Sequence, residues 1–177
     1  MTTAVAQDRL TQRFEKWDTN GDGALELADF QEEARRIAEA FAKDSSSPET
    51  RNLLNAFTGL FEYLATQAGV GKNGSLSEEQ FRAVTERLIF QEGEASFNRV
   101  MRPVIKGVIG MCDDNHDGQI NGDEFAIWLG AVGVDKDEAR AAFDQIDTSG
   151  DGQLSTEELL AAVRSFHFGK LNVPLLG

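Results

Sequence analysis

Hydrophobic residues recur at spacings of three and four along most of the chain, the spacing that places side chains on one face of an α-helix. Leu53, Phe57 and Leu60 form one pronounced stripe of this kind, and similar stripes lie on both sides of four polar segments. The segments, called the first to fourth loops below, are residues 18–29, 69–80, 113–124 and 147–158. The pattern predicts an all-α protein of eight helices, arranged as four helix–loop–helix units.

The four loops are copies of one repeat, because they align without gaps. Their sixth position is always glycine: Gly23, Gly74, Gly118 and Gly152. Their eighth position is always aliphatic: Leu25, Leu76, Ile120 and Leu154. We expect each aliphatic residue to pair in a short strand with a neighbouring unit, Leu25 with Leu76 in particular. The units would then form two pairs, residues 1–91 and 92–177, within one compact globular protein.

The third loop matches the pattern D-x-[DN]-x-[DN]-G-x5-E at every fixed position, and this pattern is typical of a calcium-binding loop. Calcium prefers about six to eight hard oxygen ligands, and alternate residues of a tightly curled loop direct their oxygens inward. The predicted ligands are the side chains of Asp113, Asn115, Asp117 and Glu124, the backbone carbonyl of Gln119, and Asn121 acting through water.

The fourth loop fits the same pattern, with a hydroxyl in place of one amide or carboxylate. The predicted ligands are Asp147, Ser149, Asp151, Ser155 and Glu158, with the backbone carbonyl of Gln153. Because the Ser149 hydroxyl is a weaker ligand than a carboxylate, we expect this loop to bind calcium with lower affinity than one carrying aspartate there.

The first loop ends in aspartate where the pattern requires glutamate. Its predicted ligands are Asp18, Asn20, Asp22, Glu26 and Asp29, with the backbone carbonyl of Ala24. Asp29 is one methylene shorter than glutamate, so binding through a single oxygen is one geometry, and direct binding by Glu26 could compensate for the lost oxygen. A smaller ligand number favours the six-fold geometry of magnesium. We therefore expect a weaker first site, or one at which magnesium competes.

The second loop lacks the chemistry of the other three. Its ligand positions hold Gly69, Gly71, Asn73, Ser77 and Gln80, without a carboxylate. A neutral set of ligands cannot offset the dehydration of a divalent cation. We expect this loop to bind no metal and to keep the repeat's scaffold for structural reasons.

Charge agrees with cation binding and disfavours several other functions. The chain has 177 residues and a net charge of -13, which repels nucleic acids and anionic membranes. Ten of its 30 acidic residues lie at the predicted ligand positions. One cysteine, Cys112, excludes an intramolecular disulfide and a cysteine-rich zinc site. Catalytic Ser/His/Asp and Cys/His arrangements are not evident, so we expect no enzyme.

The sequence also bears on the location and assembly of the protein. The first ten residues lack the basic start and apolar stretch of a secretory signal, and no run approaches 18 apolar residues. We therefore expect a cytoplasmic monomer that binds neither nucleic acid nor membrane. Its expected partners are calcium ions, with an unidentified target protein left open.

The whole chain resembles the calerythrin family of bacterial EF-hand proteins and the related sarcoplasmic calcium-binding proteins. The segments that carry the resemblance are residues 17–30, 93–100, 110–121 and 165–171. The terminal aspartate of the first loop is shared with that family. The resemblance implies paired EF-hands, one with two and three with four, and calcium at three sites. It also implies a role in calcium buffering or calcium signalling.

Two functional classes remain open at this point. A buffer binds calcium and exposes little new surface, whereas a sensor opens a groove, commonly rich in methionine, for a partner. The chain has three methionines and 12 phenylalanines, which favours a rigid core and a buffer. An apolar tail could also fill a groove from within: Phe166, Phe168, Leu171, Val173, Leu175 and Leu176. We expect His116 and His167 on the surface and Cys112 in the core.

Overall fold

The computed structural model describes residues 4–113 and 115–172, and their fold is all-α as predicted. The helices are α1 (Ala4–Trp17), α2 (Leu27–Ala40), α3 (Pro48–Ala68), α4 (Glu78–Glu86), α5 (Glu94–Cys112), α6 (Gly122–Ala131), α7 (Lys136–Ile146) and α8 (Thr156–His167). Two short strands, β1 (Ala24–Leu25) and β2 (Leu76–Ser77), lie in the first and second loops. A π-helical segment, Arg87–Gln91, continues α4. None of the described helices is long and apolar enough to cross a membrane.

Each helix that leaves a loop begins at a cap built from the loop's own residues. Asn121 precedes α6, and its side chain accepts a hydrogen bond from the backbone N–H of Glu124 at 2.9 Å. In return, Glu124 Oε2 accepts from the backbone N–H of Asn121 at 2.9 Å. Such a reciprocal capping box satisfies donors that a helix start otherwise leaves open. The same box joins Ser77 to Gln80 before α4 and Ser155 to Glu158 before α8.

Backbone pairing joins the loops two by two, as the repeat pattern predicts. β1 pairs antiparallel with β2, and Leu25 lies opposite Leu76. Ile120 and Leu154 exchange two backbone hydrogen bonds, at 3.0 and 2.7 Å. The first loop is therefore tied to the second, and the third to the fourth.

One hydrophobic core extends through all four units. Trp17 contacts Phe30 and Phe81 edge-on, with ring centroids 4.9 and 6.2 Å apart. Trp17 directly precedes the first loop, and Cys112 and Ile146 hold the same place before the third and fourth loops. All three side chains are buried, as predicted for Cys112. The residue before each acidic loop thus anchors that loop to the core.

The tightest approach between the two pairs of units lies where α3 crosses α5. A Cβ atom placed on Gly107 of α5 would lie 3.3 Å from the Cα of Leu53 and 3.6 Å from the Cβ of Ala56. Both distances are short, so the helices can approach this closely only because position 107 has no side chain.

A second connection ties the first helix to the segment that follows the last one. The guanidinium of Arg9 donates to the backbone carbonyls of Phe166 and Leu171, and to the side-chain oxygen of Asn172. Phe166 and Leu171 are buried, whereas Phe168 is 39% exposed. The tail residues Val173, Leu175 and Leu176 lie outside the described residues.

One prediction about histidine is wrong. His167 lies at the end of α8 and is only 3% exposed, although we expected it on the surface. The helix period places it on the inward face together with Val163 and Phe166, at spacings of four and one. His116 is exposed, as predicted.

The close helix crossing gives a testable prediction. We expect Gly107→Ala to lower the free energy of unfolding by about 1–2 kcal/mol, because the added methyl group forces α3 and α5 apart. Chemical denaturation of the calcium-saturated protein measures this change.

The matched control is Gly110→Ala on the same helix. Gly110 is exposed and a Cβ there meets nothing within 4 Å. Alanine favours helix formation by about 1 kcal/mol over glycine, so this control should be neutral or stabilising. Equal stability of the two variants would show that the helices are not in close contact at position 107.

Candidate calcium-binding loops

The fourth loop brings three carboxylates together. Ligand oxygens of Asp147, Asp151 and Glu158 all lie within 4.8 Å of one another. Oxygens that bind one calcium ion at about 2.4 Å lie at most about 4.8 Å apart. The three side chains therefore fit a single shared calcium ion, and they are among the ligands that the sequence predicts.

Backbone N–H groups hold the first carboxylate of this loop in place. Asp147 Oδ2 accepts from the N–H of Gly152 at 2.9 Å, and Oδ1 accepts from the N–H of Gly150 at 3.1 Å. The Ser149 hydroxyl donates to the same Oδ1 at 3.2 Å. Gly150 and Gly152 have φ of 70° and 78°, a left-handed conformation that glycine adopts without strain. These two residues curl the loop around Asp147.

The third loop is curled in the same way. Asp113 Oδ2 accepts from the N–H of Gly118 at 2.8 Å. The N–H of Asp117 donates to both Asp113 Oδ1 and Asn115 Oδ1, at 3.1 and 3.2 Å. The two left-handed residues are His116, with φ of 57°, and Gly118, with φ of 76°. A histidine in this conformation is uncommon, so the third loop carries slight backbone strain that the fourth avoids.

The first loop repeats this arrangement once more. Asp18 Oδ2 accepts from the N–H of Gly23 at 2.9 Å. The N–H of Asp22 donates to Asp18 Oδ1 at 3.2 Å and to Asn20 Oδ1 at 3.0 Å. Gly21 and Gly23 are left-handed. In all three acidic loops the ligands predicted at positions one, three and five thus lie within one curl of backbone.

Position twelve, which is predicted to close the ring of ligands, holds aspartate in the first loop and glutamate in the third and fourth loops. Glu158 Oε1 accepts from the N–H of Ser155 at 3.0 Å, and one oxygen of this carboxylate lies within 4.8 Å of the fourth-loop aspartates. Asp29 is 2% exposed, and its Oδ2 accepts from the N–H of Glu26 at 2.8 Å. Among residues 4–113 and 115–172, the carboxylates of the first and third loops form no group of three as close as that of the fourth.

A threonine at position two holds the closing carboxylate, and the sequence analysis missed this role. The Thr19 hydroxyl and N–H donate to Asp29 Oδ1 at 2.8 and 3.2 Å. The Thr148 hydroxyl donates to Glu158 Oε2 at 3.3 Å. The signal was present in the alignment, because the first and fourth loops share threonine at this position.

The residues at positions seven and nine have structural contacts besides their predicted ligand roles. The position-seven N–H groups of Ala24, Gln119 and Gln153 each donate to the carboxylate two residues before, at 2.9–3.0 Å. The position-nine side chains of Asn121 and Ser155 cap α6 and α8. Glu26, at the same position, is the exposed N-cap residue of α2. These contacts stabilise the loop at the start of each outgoing helix.

Hydrogen bonds from the backbone keep the loop carboxylates ionised. The N–H of Gln119 lowers the pKa of the Asp117 carboxyl below its ordinary value. The N–H of Gln153 does the same to the pKa of Asp151. Burial acts to raise the pKa of Glu158, but the hydrogen bonds it accepts outweigh burial and lower the pKa overall. These three carboxylates of the third and fourth loops therefore present negative charge to a cation at neutral pH.

The second loop keeps the strand pairing of the repeat but not its curl. Gly74, at position six, is not left-handed, unlike its counterparts in the other loops. The N–H of Gly74 donates to the carbonyl of Gly71 at 2.8 Å instead of to a side chain. The expected structural role is confirmed for the pairing of Leu76 with Leu25. The curl of the other loops is not kept, because without a carboxylate at position one nothing gathers the N–H groups inward.

Comparisons with known proteins agree with this geometry. Residues 138–169 match the family model described as EF-hand domain, and residues 11–32 match the model described as EF hand. Calerythrin of Saccharopolyspora erythraea is 64% identical over 177 residues, which is 100% of both chains. The sarcoplasmic calcium-binding protein of Hediste diversicolor is 33% identical over 135 residues, covering 73% of this chain and 70% of that protein.

A solved structure extends the comparison to the fold. A Streptomyces coelicolor calcium-binding protein superposes with a TM-score of 0.77 at 26% identity, covering 92% of this chain and 97% of that one. The resemblance inferred from the sequence is thereby confirmed. The chain is 64% identical to calerythrin along its whole length, and its three acidic loops share one geometry with one another. This chain therefore belongs to the calerythrin family of calcium-binding EF-hand proteins.

Proposed function

We propose that this protein is a calcium buffer that binds three calcium ions, one in each acidic loop, and none in the second loop. The carboxylate group of Asp147, Asp151 and Glu158 is the observation that carries the proposal. These oxygens are already within the span of one ion, so calcium binding in the fourth loop needs little rearrangement.

The first and third loops support the same role through their shared curl. In each of them, the carboxylate at position one is held by the N–H of the glycine at position six, at 2.8–2.9 Å, as in the fourth loop. Among the described residues, the carboxylates of these two loops do not form a group of three as close as that of the fourth loop. Calcium is the group that would draw those carboxylates inward.

Two features of the second loop support the proposal that it binds no calcium. Its ligand positions carry no carboxylate, and Gly74 does not adopt the left-handed conformation of the acidic loops. We assign it the structural task of supplying β2, which pairs with β1 of the first loop. This pairing fixes one side of the first binding site.

The first site is the one at which we expect magnesium to compete. Asp29 is short, and both of its oxygens accept hydrogen bonds, from Thr19 and from the N–H of Glu26. Because Asp29 is one methylene shorter than the glutamates at position twelve of the third and fourth loops, it reaches an ion more readily with one oxygen than with two. One-oxygen binding lowers the ligand number toward the six preferred by magnesium.

Burial of the methionines favours a buffer over a sensor. Met101 and Met111 are 6% and 0% exposed, so neither lies on an open groove. The exposed large hydrophobic residues among those described are Val5, Ile127 and Phe168. They belong to α1, α6 and the segment after α8, which gives no continuous apolar surface along one helix.

A calcium sensor is the second candidate. The Streptomyces coelicolor relative is described in terms of prokaryotic calcium-mediated regulation, which makes a regulatory role here a specific alternative. In that case calcium would open one pair of helices and expose apolar surface to a target protein. The dye experiment below separates the two candidates.

The remaining parts of the proposal concern location, assembly and organisation. We place the buffer in the cytoplasm as a monomer without enzymatic activity, and we divide it into residues 1–91 and 92–177. The segment between α4 and α5 supports this boundary, because the π-helical segment ends at Gln91 and α5 begins at Glu94.

Removal of one closing carboxylate tests the three-site proposal. Glu158→Gln takes a negative charge and a ligand oxygen from the fourth loop, so its dissociation constant for calcium should rise at least tenfold. That factor corresponds to about 1.4 kcal/mol. Calorimetric titration should then show two strong binding events instead of three.

The neighbouring Glu157→Gln is the control. Glu157 is exposed and forms an ion pair with Arg102 outside the loop, so this variant should retain three binding events. An unchanged titration of Glu158→Gln would contradict the assignment of the fourth loop.

Lengthening the closing residue tests the magnesium assignment. Asp29→Glu should allow a second oxygen to reach the ion, which raises calcium affinity of the first site about tenfold, or about 1.4 kcal/mol. Calcium titration with and without millimolar magnesium should show that competition weakens in this variant. Asp123→Glu, at position eleven of the third loop, is the control without effect. A wild-type first site that fills before the others, with no magnesium competition, would refute the assignment.

A fluorescent dye that binds apolar surface distinguishes buffer from sensor. A buffer with this closed core should bind no more dye in calcium than in chelator. The readout is dye emission across a calcium titration. A large rise at saturating calcium would favour the sensor and overturn the buffer proposal.

A further inference from the structure

A cavity lined by buried residues lies between the two pairs of units, and none of the residues described in its lining belongs to an acidic loop. Its volume is about 40 Å³, and its lining comes from α1, α3, α4, α5 and α8 together with the π-helical segment. Most of the lining is apolar, including Trp17, Leu60 and Phe81. The polar side chains of the lining are Arg13, Thr85 and His167.

Arg13 brings a positive charge to this cavity without a full set of partners. The side chain is 4% exposed, and its Nε and Nη2 atoms have no hydrogen-bond acceptor. Its guanidinium lies over the rings of Trp17 and Phe166, at 5.2 and 5.9 Å from their centroids. Burial lowers the pKa of Arg13 to about 10, partly opposed by Glu33, so the group stays charged at neutral pH.

The other polar groups of the lining do not supply the missing negative charge. His167 is buried, and its Nδ1 also has no hydrogen-bond partner. Burial, together with the charges of Arg13 and Arg9, holds the pKa of His167 well below its ordinary value, so it is neutral. The Thr85 hydroxyl donates to the carbonyl of Phe81 at 2.7 Å.

Glu33 compensates Arg13 only in part and from outside the cavity. It lies on α2, which contributes no residue to the described lining. It also forms an ion pair with Arg36 at 3.1 Å and experiences the charge of Lys16. The described lining contains no aspartate or glutamate. The described lining therefore offers the guanidinium no counter-charge.

We propose that this cavity binds one small monovalent anion, a halide or a short carboxylate, beside the Arg13 guanidinium, which turns its unpartnered Nε and Nη2 groups toward the ion. A buried charged group with unmet donors is unfavourable until an acceptor supplies the missing hydrogen bonds. Hydrogen bonds between ions are about twice as strong as neutral ones. An anion satisfies the donors and the charge together.

The size of the cavity limits the ligand. A water molecule needs roughly 10–15 Å³ of such volume, so about 40 Å³ admits on the order of three non-hydrogen atoms. Chloride, bromide and formate fit this limit, whereas sulfate and gluconate exceed it. The apolar lining favours a singly charged ligand, because a second charge would have no partner. This site does not depend on the proposed calcium stoichiometry.

The test uses tryptophan fluorescence, because Trp17 lines the cavity and bromide quenches indole emission on contact. Trp128→Phe leaves Trp17 as the single tryptophan in the chain. The protein is saturated with calcium gluconate and titrated with sodium bromide against sodium gluconate at constant ionic strength. Quenching should saturate, and chloride or formate should reverse it. Reversal by chloride alone identifies a halide site, and reversal by formate identifies a site that also accepts carboxylates.

Two further variants decide the role of the guanidinium. In the Trp128→Phe background, Arg13→Met should weaken the saturable quenching at least tenfold. Arg35→Met, which removes an exposed arginine of α2, should leave it unchanged. Linear quenching that is the same with and without Arg13→Met would overturn the proposal.

A crystallographic measurement keeps the proposal testable if Arg13→Met fails to fold. Crystals of the calcium-loaded wild-type protein soaked in sodium bromide should show an anomalous peak within about 3.5 Å of Arg13 Nε or Nη2. A cavity with ordered water only, and no bromide peak, would overturn the proposal independently of any variant.

Discussion

Carboxylates crowded into a twelve-residue turn repel one another, and backbone N–H groups directed at them oppose that repulsion before any ion binds. In the acidic loops, the carboxylate at position one accepts from the N–H of the glycine at position six. Left-handed residues at positions four and six make this geometry possible. The second loop shows the converse, since without a carboxylate at position one its Gly74 is not left-handed and its N–H bonds a backbone carbonyl instead.

The remaining architecture keeps those curled loops in register. Behind each acidic loop, a buried residue fixes the end of the incoming helix, with Trp17 the largest of the three. Beside each loop, a backbone pairing fixes its eighth residue, as between Ile120 and Leu154. Because these two residues exchange both of their hydrogen bonds, any ordering of the third loop by an ion also restrains the fourth. Through this backbone pairing, each loop stabilises the conformation of the loop with which it is paired.

Sequence periodicity accounts for the helices, the strand partners and the candidate ligands, because each depends on local spacing. Sequence periodicity did not predict the features that depend on long-range packing. The helix period places His167 on the inward face of α8, but its burial also requires α1 and α5 to pack against α8, and the spacing of residues along α8 does not show this packing. The π-helical segment after α4 is only five residues long and lengthens the spacing of the backbone hydrogen bonds by one residue, too little to alter the pattern of apolar residues. Thr19 was missed for a different reason, since position two carries no ligand in the calcium-loop pattern.

The buried positive charge of Arg13 follows from the same helical geometry that builds the first site. The helix α1 must bury Leu10, Phe14 and Trp17 to anchor the first loop. Arg13 lies beside Phe14 and four residues before Trp17, so the helix that buries those rings carries its guanidinium inward with them. Moving such a charge from water into a protein interior costs several kcal/mol unless it is paired. Glu33 is shared with Arg36 and cannot remove that cost alone, so the demand for a further anionic or polar partner is built into the way the first loop is anchored.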